Sequence, residues 1–308
     1  MTYVWLVLGF VLLIKGADFF VEGSAGIAKI FKVPSVIIGL TIVAMGTSAP
    51  EASVSITAGL AGSNELALSN IIGSNTFNLL MVVGICAFVR SISGEKSIIN
   101  RDLPFNLIIS VLLLILLLDG KIGRIDGAIL LLVMVGYMVL LIKNAMKNRE
   151  DGGNTHKIPL WQCILYIIGG LAAVIFGGDL VVNSASEIAV SLGMSQNLVG
   201  LTIVAIGTSL PELVTSVIAT GKGEHELALG NAVGSCVFNI LFILGMSSVL
   251  SPIGVNSENL IDTSILIFVS LFFVIMCKKK ENLRRLDGAV CILMYVVYTA
   301  YIIFRNYM

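Results

Sequence analysis

The chain reads GLTIVAMGTSAPEASVSITAGLAGSNELALSNIIGSNTFNLLMVVG from Gly39 to Gly84, and the pattern returns as GLTIVAIGTSLPELVTSVIATGKGEHELALGNAVGSCVFNILFILG from Gly200 to Gly245. An offset of 161 residues relates the two stretches, which align without a gap. About 25 of the 46 aligned positions are identical, and self-similarity of this length indicates an internal repeat. The chain is therefore predicted to be a duplicated unit.

The composition of the chain is that of a membrane protein. Hydrophobic residues make up 57 % of it, charged residues only 12 %, and the mean hydropathy is +1.00. A soluble domain has about 25 % charged residues. Because the formal net charge is zero, the charge balance does not favour a nucleic-acid partner. The five cysteines lie in apolar runs without CxxC or Cys/His spacing, so neither a zinc site nor a disulfide framework is indicated.

Ten apolar segments are long enough to cross about 30 Å of hydrocarbon, for which a helix needs about 20 residues. They cover residues 3–28, 34–60, 66–91, 102–118, 124–145, 160–189, 195–221, 227–250, 260–277 and 286–305. Five segments lie in each half, and Asp126 of the last segment of the first half recurs as Asp287 in the second. We therefore divide the chain into a first five-helix repeat (1–145), a cytoplasmic linker (146–159) and a second five-helix repeat (160–308).

The two repeats are predicted to have opposite orientations in the bilayer. Because five is an odd number, a unit that enters from one face leaves at the other, and a short linker makes the second unit insert upside down. Lys and Arg are enriched on cytoplasmic loops. With the amino terminus outside, fifteen of these side chains lie inside and three outside. We expect a multi-pass protein of the cell membrane with both termini extracellular, and we infer no obligate protein partner.

Each repeat carries a glutamate inside an apolar run, Glu51 in GTSAPE and Glu212 in GTSLPE. An ionisable side chain at membrane depth is costly and suggests function. The preceding proline lacks a backbone N–H and interrupts the helix, and interrupted backbone at this depth must line a polar cavity or be buried in protein. Each glutamate begins the next half-helix, where the positive end of the helix dipole stabilises a carboxylate. The two carboxylates are expected to form one shared site.

Oxygen atoms of other residues extend this candidate site. Ser74 and Asn78 in GSNTFN lie four residues apart on one helix face, as do Ser235 and Asn239 in GSCVFN. The other candidates are main-chain carbonyls near the helix breaks and two hydroxyls, from Ala44, Thr47, Ala205, Thr208, Ser48 and Ser209. This set has no His or thiol ligand, so it suits calcium, sodium or magnesium rather than zinc or copper. About six to eight oxygens at flexible distances favour calcium.

The paired GTSxPE and GSNxxN-type motifs resemble those of the calcium/cation antiporter superfamily and, within it, the prokaryotic sodium/calcium exchangers. The resemblance covers nearly the whole chain. It implies an all-α membrane protein with ten transmembrane helices in two inverted five-helix repeats, with broken helices 2, 3, 7 and 8 as the ion-binding core. Helices 1 and 6 would slide across that core to alternate access between the two sides.

The resemblance also implies roles for individual residues. Calcium would be ligated by two carboxylates and two main-chain groups, those of Glu51, Glu212, Thr47 and Thr208. Sodium would use the same glutamates together with Ala44, Ser48 and Ser74 on one side and Ala205, Ser209 and Ser235 on the other. Asn78 and Asn239 would hold the remaining central positions, where relatives often have aspartate, and this departure argues against potassium co-transport. Calcium and sodium are the transported ions implied, and no cofactor is.

The charge of the candidate site constrains the mechanism. With Glu51 and Glu212 as its only formal charges, the site carries −2, so one calcium ion neutralises it whereas three sodium ions leave it at +1. Exchange at that ratio would move net charge, and one elementary charge across about 100 mV is worth about 2.3 kcal/mol. We predict a secondary antiporter, not an enzyme, that extrudes calcium electrogenically in exchange for sodium.

Three alternatives remain open. In a calcium/proton exchanger, two protons on the same glutamates would replace the sodium ions. A cation channel would use the same oxygens, although paired inverted helix breaks suit alternating access better. An intramembrane aspartyl protease would use Asp18 and Asp179, at equivalent places in helices 1 and 6, but the glutamate motifs would then have no role. Lys15 has no counterpart in the second half, and we expect it to snorkel or to pair with Asp18 or Glu22 in its own helix.

Overall fold

Long apolar helices dominate the structure, a computed structural model in which residues 1–60, 64–93, 95–147, 158–194, 205–280 and 282–307 are described. The α-helices are α1 (Thr2–Phe31), α2 (Ser35–Thr47, with a π-helical segment at Gly39–Val43), α3 (Ala49–Leu60), α4 (Asn64–Phe77), α5 (Val83–Val89), α6 (Leu103–Leu117), α7 (Arg124–Lys147), α8 (Leu160–Ser191), α9 (Ala205–Gly207), α10 (Leu210–Gly221), α11 (His225–Phe238), α12 (Gly245–Leu250), α13 (Ser257–Lys279) and α14 (Arg285–Tyr307). Further π-helical segments cover Asn78–Val82, Ile98–Asp102 and Asn239–Leu244. Four two-residue strands complete the order: β1 (Ile92–Ser93), β2 (Lys121–Ile122), β3 (Ile253–Gly254) and β4 (Asn282–Leu283).

Within the described residues, eight helices are long and apolar enough to cross a membrane, and the bent pair α2 and α3 makes a ninth span. The prediction of a multi-pass, all-α membrane protein is confirmed. The start of the predicted seventh span, residues 195–204, lies outside the described residues, and so does most of the predicted linker, residues 148–157. The count of ten helices therefore stays a prediction.

The bend between α2 and α3 lies where the proline predicts an interruption. The two helices meet at 49°, and the joint is Ser48, whose φ of −81° and ψ of 10° depart from the helical values. The second repeat has the same local geometry, because Ser209 has a φ of −93° and a ψ of 7° directly before α10. Since Pro50 and Pro211 lie in the first turn after these joints, each missing N–H falls where a helix start has unpaired N–H groups in any case.

The third and eighth spans are not interrupted. Leu66–Val89 runs as one helix through α4 and α5, and His225–Leu250 runs as one helix through α11 and α12. The prediction of breaks in helices 3 and 8 is therefore not confirmed. Each span instead carries a π-helical segment, which begins at Asn78 or Asn239. Such a segment widens the helix by one residue per turn and is frequent at functional sites.

These two spans form the centre of the molecule. In each of them 78 % of the most apolar window is buried, against 50 % or less in the other long spans. α2 packs closely on α11, since a Cβ added to Gly39 would lie 2.6 Å from the carbonyl oxygen of Leu227. Two antiparallel ladders, β1 with β4 and β2 with β3, join the first half of the chain to the second at positions related by the 161-residue offset.

α1 and α8 pack against each other along their length as an antiparallel pair. A Cβ on Gly16 would lie 2.8 Å from the carbonyl oxygen of Gly170, and one on Gly9 would lie 3.0 Å from that of Gly177. Glycines thus let the two backbones approach closely, which is the usual way in which membrane helices associate.

Candidate functional site

The two glutamates occupy equivalent places in the first turns of α3 and α10. Glu51 and Glu212 are both completely buried, with 0 % exposed surface. Each follows the serine joint by three residues, so the non-helical backbone at Ser48 and Ser209 turns the new helix and its carboxylate into the interior. A buried carboxylate requires hydrogen bonds or a cation to offset the loss of water.

In each repeat, the serine of the GTSxPE motif donates a hydrogen bond to the glutamate of the other repeat. The Ser48 hydroxyl donates to Oε1 of Glu212 at 2.8 Å, and the Ser209 hydroxyl donates to Oε1 of Glu51 at 2.9 Å. Ser235 also lies 3.4 Å from Oε1 of Glu212. Because the bonds cross from one repeat to the other, they connect the two buried motifs directly; that the carboxylates form one shared site stays a prediction.

The second oxygen of each carboxylate is left without a partner. Glu51 Oε2 and Glu212 Oε2 are buried and accept no hydrogen bond from the described residues. The same holds for three further oxygens of the predicted site, Ser74 Oγ, Asn78 Oδ1 and Asn239 Oδ1. An unpaired buried polar group costs about 1–3 kcal/mol, and hard oxygens of this kind are ligands that suit calcium or sodium.

One family model matches most of the chain. The family model described as sodium/calcium exchanger protein matches residues 1–143 and 163–304. The chain belongs to the sodium/calcium exchanger family. Proteins of this family are membrane cation transporters that act without a cofactor. The prediction that the protein is not an enzyme is therefore confirmed, and the aspartyl protease alternative loses support.

Individual relatives align with nearly the whole chain of this exchanger. It is 36 % identical to the putative antiporter CaxA of Alkalimonas amylolytica, over 98 % of each chain. It is 28 % identical to the sodium/calcium exchanger MaX1 of Methanosarcina acetivorans, over 96 % of this chain and 97 % of the relative. Solved structures of the sodium-calcium exchanger NCX_Mj match it with a TM-score of 0.87 and 30 % identity, over 98 % of each chain, in a form soaked with zero sodium and calcium.

The oxygen atoms expected near the helix breaks as cation ligands already have hydrogen-bond partners in several cases. Ala44 O accepts the N–H of Ser48 at 3.1 Å and also lies 3.5 Å from the hydroxyl oxygens of Thr47 and Ser235, so the bend does not release this carbonyl. The Thr47 hydroxyl lies 3.1 Å from Val43 O and 3.0 Å from Asn231 Oδ1. The buried Thr208 hydroxyl oxygen has no partner among the described residues. The side chain of Ala205 lies outside the described residues.

A central asparagine was not among the predicted site residues. Asn75 and Cys236 stand at equivalent positions of the two motifs, and Asn75 Nδ2 donates to the carbonyl oxygen of Cys236 at 3.1 Å. Asn239 Nδ2 donates to Asn75 Oδ1 at 3.0 Å, which orients the amide of Asn239. The sequence could have pointed to Asn75, because the GSN of the first repeat becomes GSC in the second, which places a polar residue opposite a cysteine within the repeated stretch.

Two further asparagines, also missed, support the glutamate helices. Asn70 Nδ2 donates to Ser55 Oγ at 3.1 Å, and at the equivalent place Asn231 Nδ2 donates to Ser216 Oγ at 2.9 Å. Asn231 also lies 3.3 Å from the carbonyl oxygen of Glu212. These bonds fix α3 against α4 and α10 against α11, and the repeated ELAL-x-N pattern could have identified them.

Of the two expectations for Lys15, pairing within its own helix is wrong, whereas snorkelling stays a prediction. Asp18 does not pair with it; the Lys222 ammonium lies 2.7 Å from Asp18 Oδ1 and 3.6 Å from Glu22 Oε2. Lys15 itself is exposed on α1. Because Asp18 has a lysine partner and Asp179 lines a separate cavity beside Thr208, the geometry gives no support to a shared-proton aspartate pair.

Proposed function

We propose that this exchanger extrudes calcium in exchange for sodium by alternating access, with Glu51 and Glu212 as shared ligands of both ions. The observation that carries the proposal is the reciprocal serine–glutamate pair, which leaves one unpaired oxygen on each buried carboxylate. Calcium would bind between these oxygens and the main chain of Thr47 and Thr208. Sodium ions would use them together with the serines and the carbonyls of Ala44 and Ala205, and the amides of Asn78 and Asn239 would complete the centre.

Alternating access is supported by a difference between the two sides of the site. A cavity of about 270 Å³ reaches Thr208 on one side and is lined by Pro50, Val54 and Asp179. Val54 and Thr215 are equivalent under the 161-residue offset, but their exposure differs: Val54 is 43 % exposed, whereas Thr215 is fully buried. On the other side, Leu13 and Ala17 of α1 pack without exposure near Leu210, Val214 and Ile218. These differences support a state that is open on one side only.

The proposed topology has ten helices in two inverted repeats with both termini outside. The symmetric β ladders support a two-fold relation between the repeats, because each pairs a strand of one repeat with a strand of the other. In this topology α3 and the second half of α8 run toward the outside, so the open cavity faces the extracellular side. Lys29, Arg90 and Lys222 then lie on the cytoplasmic side, in accord with the enrichment of basic residues there.

Calcium uptake into sodium-loaded vesicles tests the proposed function. We expect uptake only when sodium is inside, and faster uptake when the vesicle interior is made positive. Three sodium ions leaving for one entering calcium carry one net positive charge outward, and about 100 mV then contributes about 2.3 kcal/mol per cycle. The measurement is the initial rate of calcium uptake with the potential set by a potassium ionophore.

The same vesicles separate the remaining mechanisms. Uptake driven by an interior acid pH without sodium would indicate calcium/proton exchange instead. Calcium flux that needs no counter-ion and does not saturate would indicate a channel. Sodium-dependent uptake whose rate does not change with the imposed potential would contradict only the electrogenic ratio, not sodium/calcium exchange itself.

Replacement of Ser48 or Ser209 by alanine is expected to weaken sodium binding more than calcium binding. Each substitution removes a hydrogen bond to a carboxylate and a proposed sodium ligand, and a bond to a charged group contributes about 1.5–3 kcal/mol. We expect the half-saturating sodium concentration to rise at least about tenfold. The measurement is the sodium and calcium dependence of exchange, with Ser264→Ala on the exposed face of α13 as control. Equal losses of affinity for both ions would contradict the proposed division of ligands.

A further inference from the structure

A lysine, Lys222, lies at the closed mouth of the site, where Leu13 and Ala17 of α1 pack near Val214 and Ile218 of α10. Lys222 follows directly after α10, the helix that begins with the Glu212 turn. Its ammonium lies 2.7 Å from Asp18 Oδ1, 2.9 Å from Asp18 O and 3.6 Å from Glu22 Oε2. The three side chains are only 32 %, 38 % and 42 % exposed. The ammonium thus ties the end of α10 to the middle of α1 at the edge of the apolar contact between these helices.

The equivalent place on the open side has a different composition. The 161-residue offset relates Asp18 to Asp179 and Glu22 to Asn183, and it relates Lys222 to an alanine, residue 61. Asp179 and Asn183 line the open cavity beside Thr208. The closed mouth therefore has two carboxylates and a tethered cation, whereas the open mouth has one carboxylate and no lysine in the corresponding sequence.

We propose that Lys222 is a latch that holds the exchanger closed on the cytoplasmic side, by placing its ammonium on Asp18 and Glu22 at the inner mouth. The inference rests on the proposed function and on its topology. For the inner mouth to open, α1 must move relative to α10, and this movement separates Lys222 from Asp18. Cytoplasmic calcium or sodium attracted to the two carboxylates competes with the ammonium, so the arriving ion itself favours opening.

A nearby ion pair provides the comparison. Lys29 lies 3.3 Å from Glu224 Oε1, which connects α1 to the same loop, but its side chain is 56 % exposed. Arg90 donates to the carbonyl oxygen of Gly221 at 3.4 Å and fixes the end of α10 independently of Lys222. Loss of Lys222 is therefore expected to free α1 without unfolding the end of α10.

Two cysteine probes at equivalent positions report which mouth is open. Ser53 is exposed on the cavity side and Val214 is partly buried on the closed side, and the five native cysteines are buried. A membrane-impermeant thiol reagent should label Ser53→Cys from outside and label Val214→Cys slowly from inside. Adding Lys222→Met should raise the rate for Val214→Cys about fivefold, the size expected for a partly exposed ion pair. Lys29→Met should leave it unchanged.

Further variants make the result decisive. Asp18→Asn should raise the labelling of Val214→Cys as Lys222→Met does, and the double variant should exceed neither single one by much, because both remove the same ion pair. Unchanged labelling in Lys222→Met, or an equal rise in Lys29→Met, would overturn the latch. Each variant is first assayed for sodium-dependent calcium uptake. Absence of uptake in the probe variants that keep Lys222 and Asp18 would refute the proposed function, whereas intact uptake with unchanged labelling refutes only the latch.

Discussion

Glu212→Gln is expected to lower the affinity of the exchanger for calcium more than about 100-fold and to abolish measurable exchange, and Glu51→Gln is expected to do the same. Removing one partner of a buried charged group costs about 3–5 kcal/mol, and about 1.4 kcal/mol corresponds to a factor of ten. Glutamine keeps the shape of the side chain and can still accept the serine hydrogen bond, so the change isolates the charge. The measurement is calcium uptake into sodium-loaded vesicles over a wide range of calcium concentrations.

The equality of the two effects is the sharper part of this prediction. Both glutamates are fully buried, and each accepts one hydrogen bond from the opposite repeat. Glu187→Gln serves as control, because this carboxylate is exposed and bonds only to Thr2 among the described residues. A variant that loses one glutamate and retains calcium affinity within about threefold of the native chain would contradict a shared site.

The sequence predicted the burial of the two glutamates and the place of the bend better than the contacts around them. Burial of Glu51 and Glu212 followed from their place in apolar runs, and the proline after each serine joint predicted where the helix bends. The crossed bonds from Ser48 and Ser209 could not be derived, since they join residues about 160 positions apart and depend on how the repeats pack. Local rules describe neighbours along one helix and do not reach across such a distance.

The same limit explains the errors in the fold. Pairing of Lys15 with Asp18 or Glu22 was one of two expectations, because intrahelical neighbours are visible in sequence. The partner of both carboxylates is instead Lys222, from the other repeat. Helices 3 and 8 were expected to break, but they contain no proline and continue through π-helical segments instead. A π segment adds only about one residue to a helical turn, and no residue type predicts it reliably. Asn78 and Asn239, where these segments begin, were identified for their amides alone.

Gly170→Leu is expected to separate α1 from α8 and to cause the second large loss of function. A Cβ at this position would lie 2.6 Å from the backbone nitrogen of Phe20 and 2.7 Å from the carbonyl oxygen of Gly16, and backbone atoms cannot yield as a flexible side chain does. Overpacking of this kind costs about 1–3 kcal/mol, and it also displaces the helices proposed to slide across the core. The neighbouring Gly169→Leu is the matched control, because nothing lies within 4 Å of its added Cβ. The measurement is the melting temperature in detergent together with sodium-dependent calcium uptake, and equal results for the two variants would show that the close helix contact contributes nothing to stability or transport.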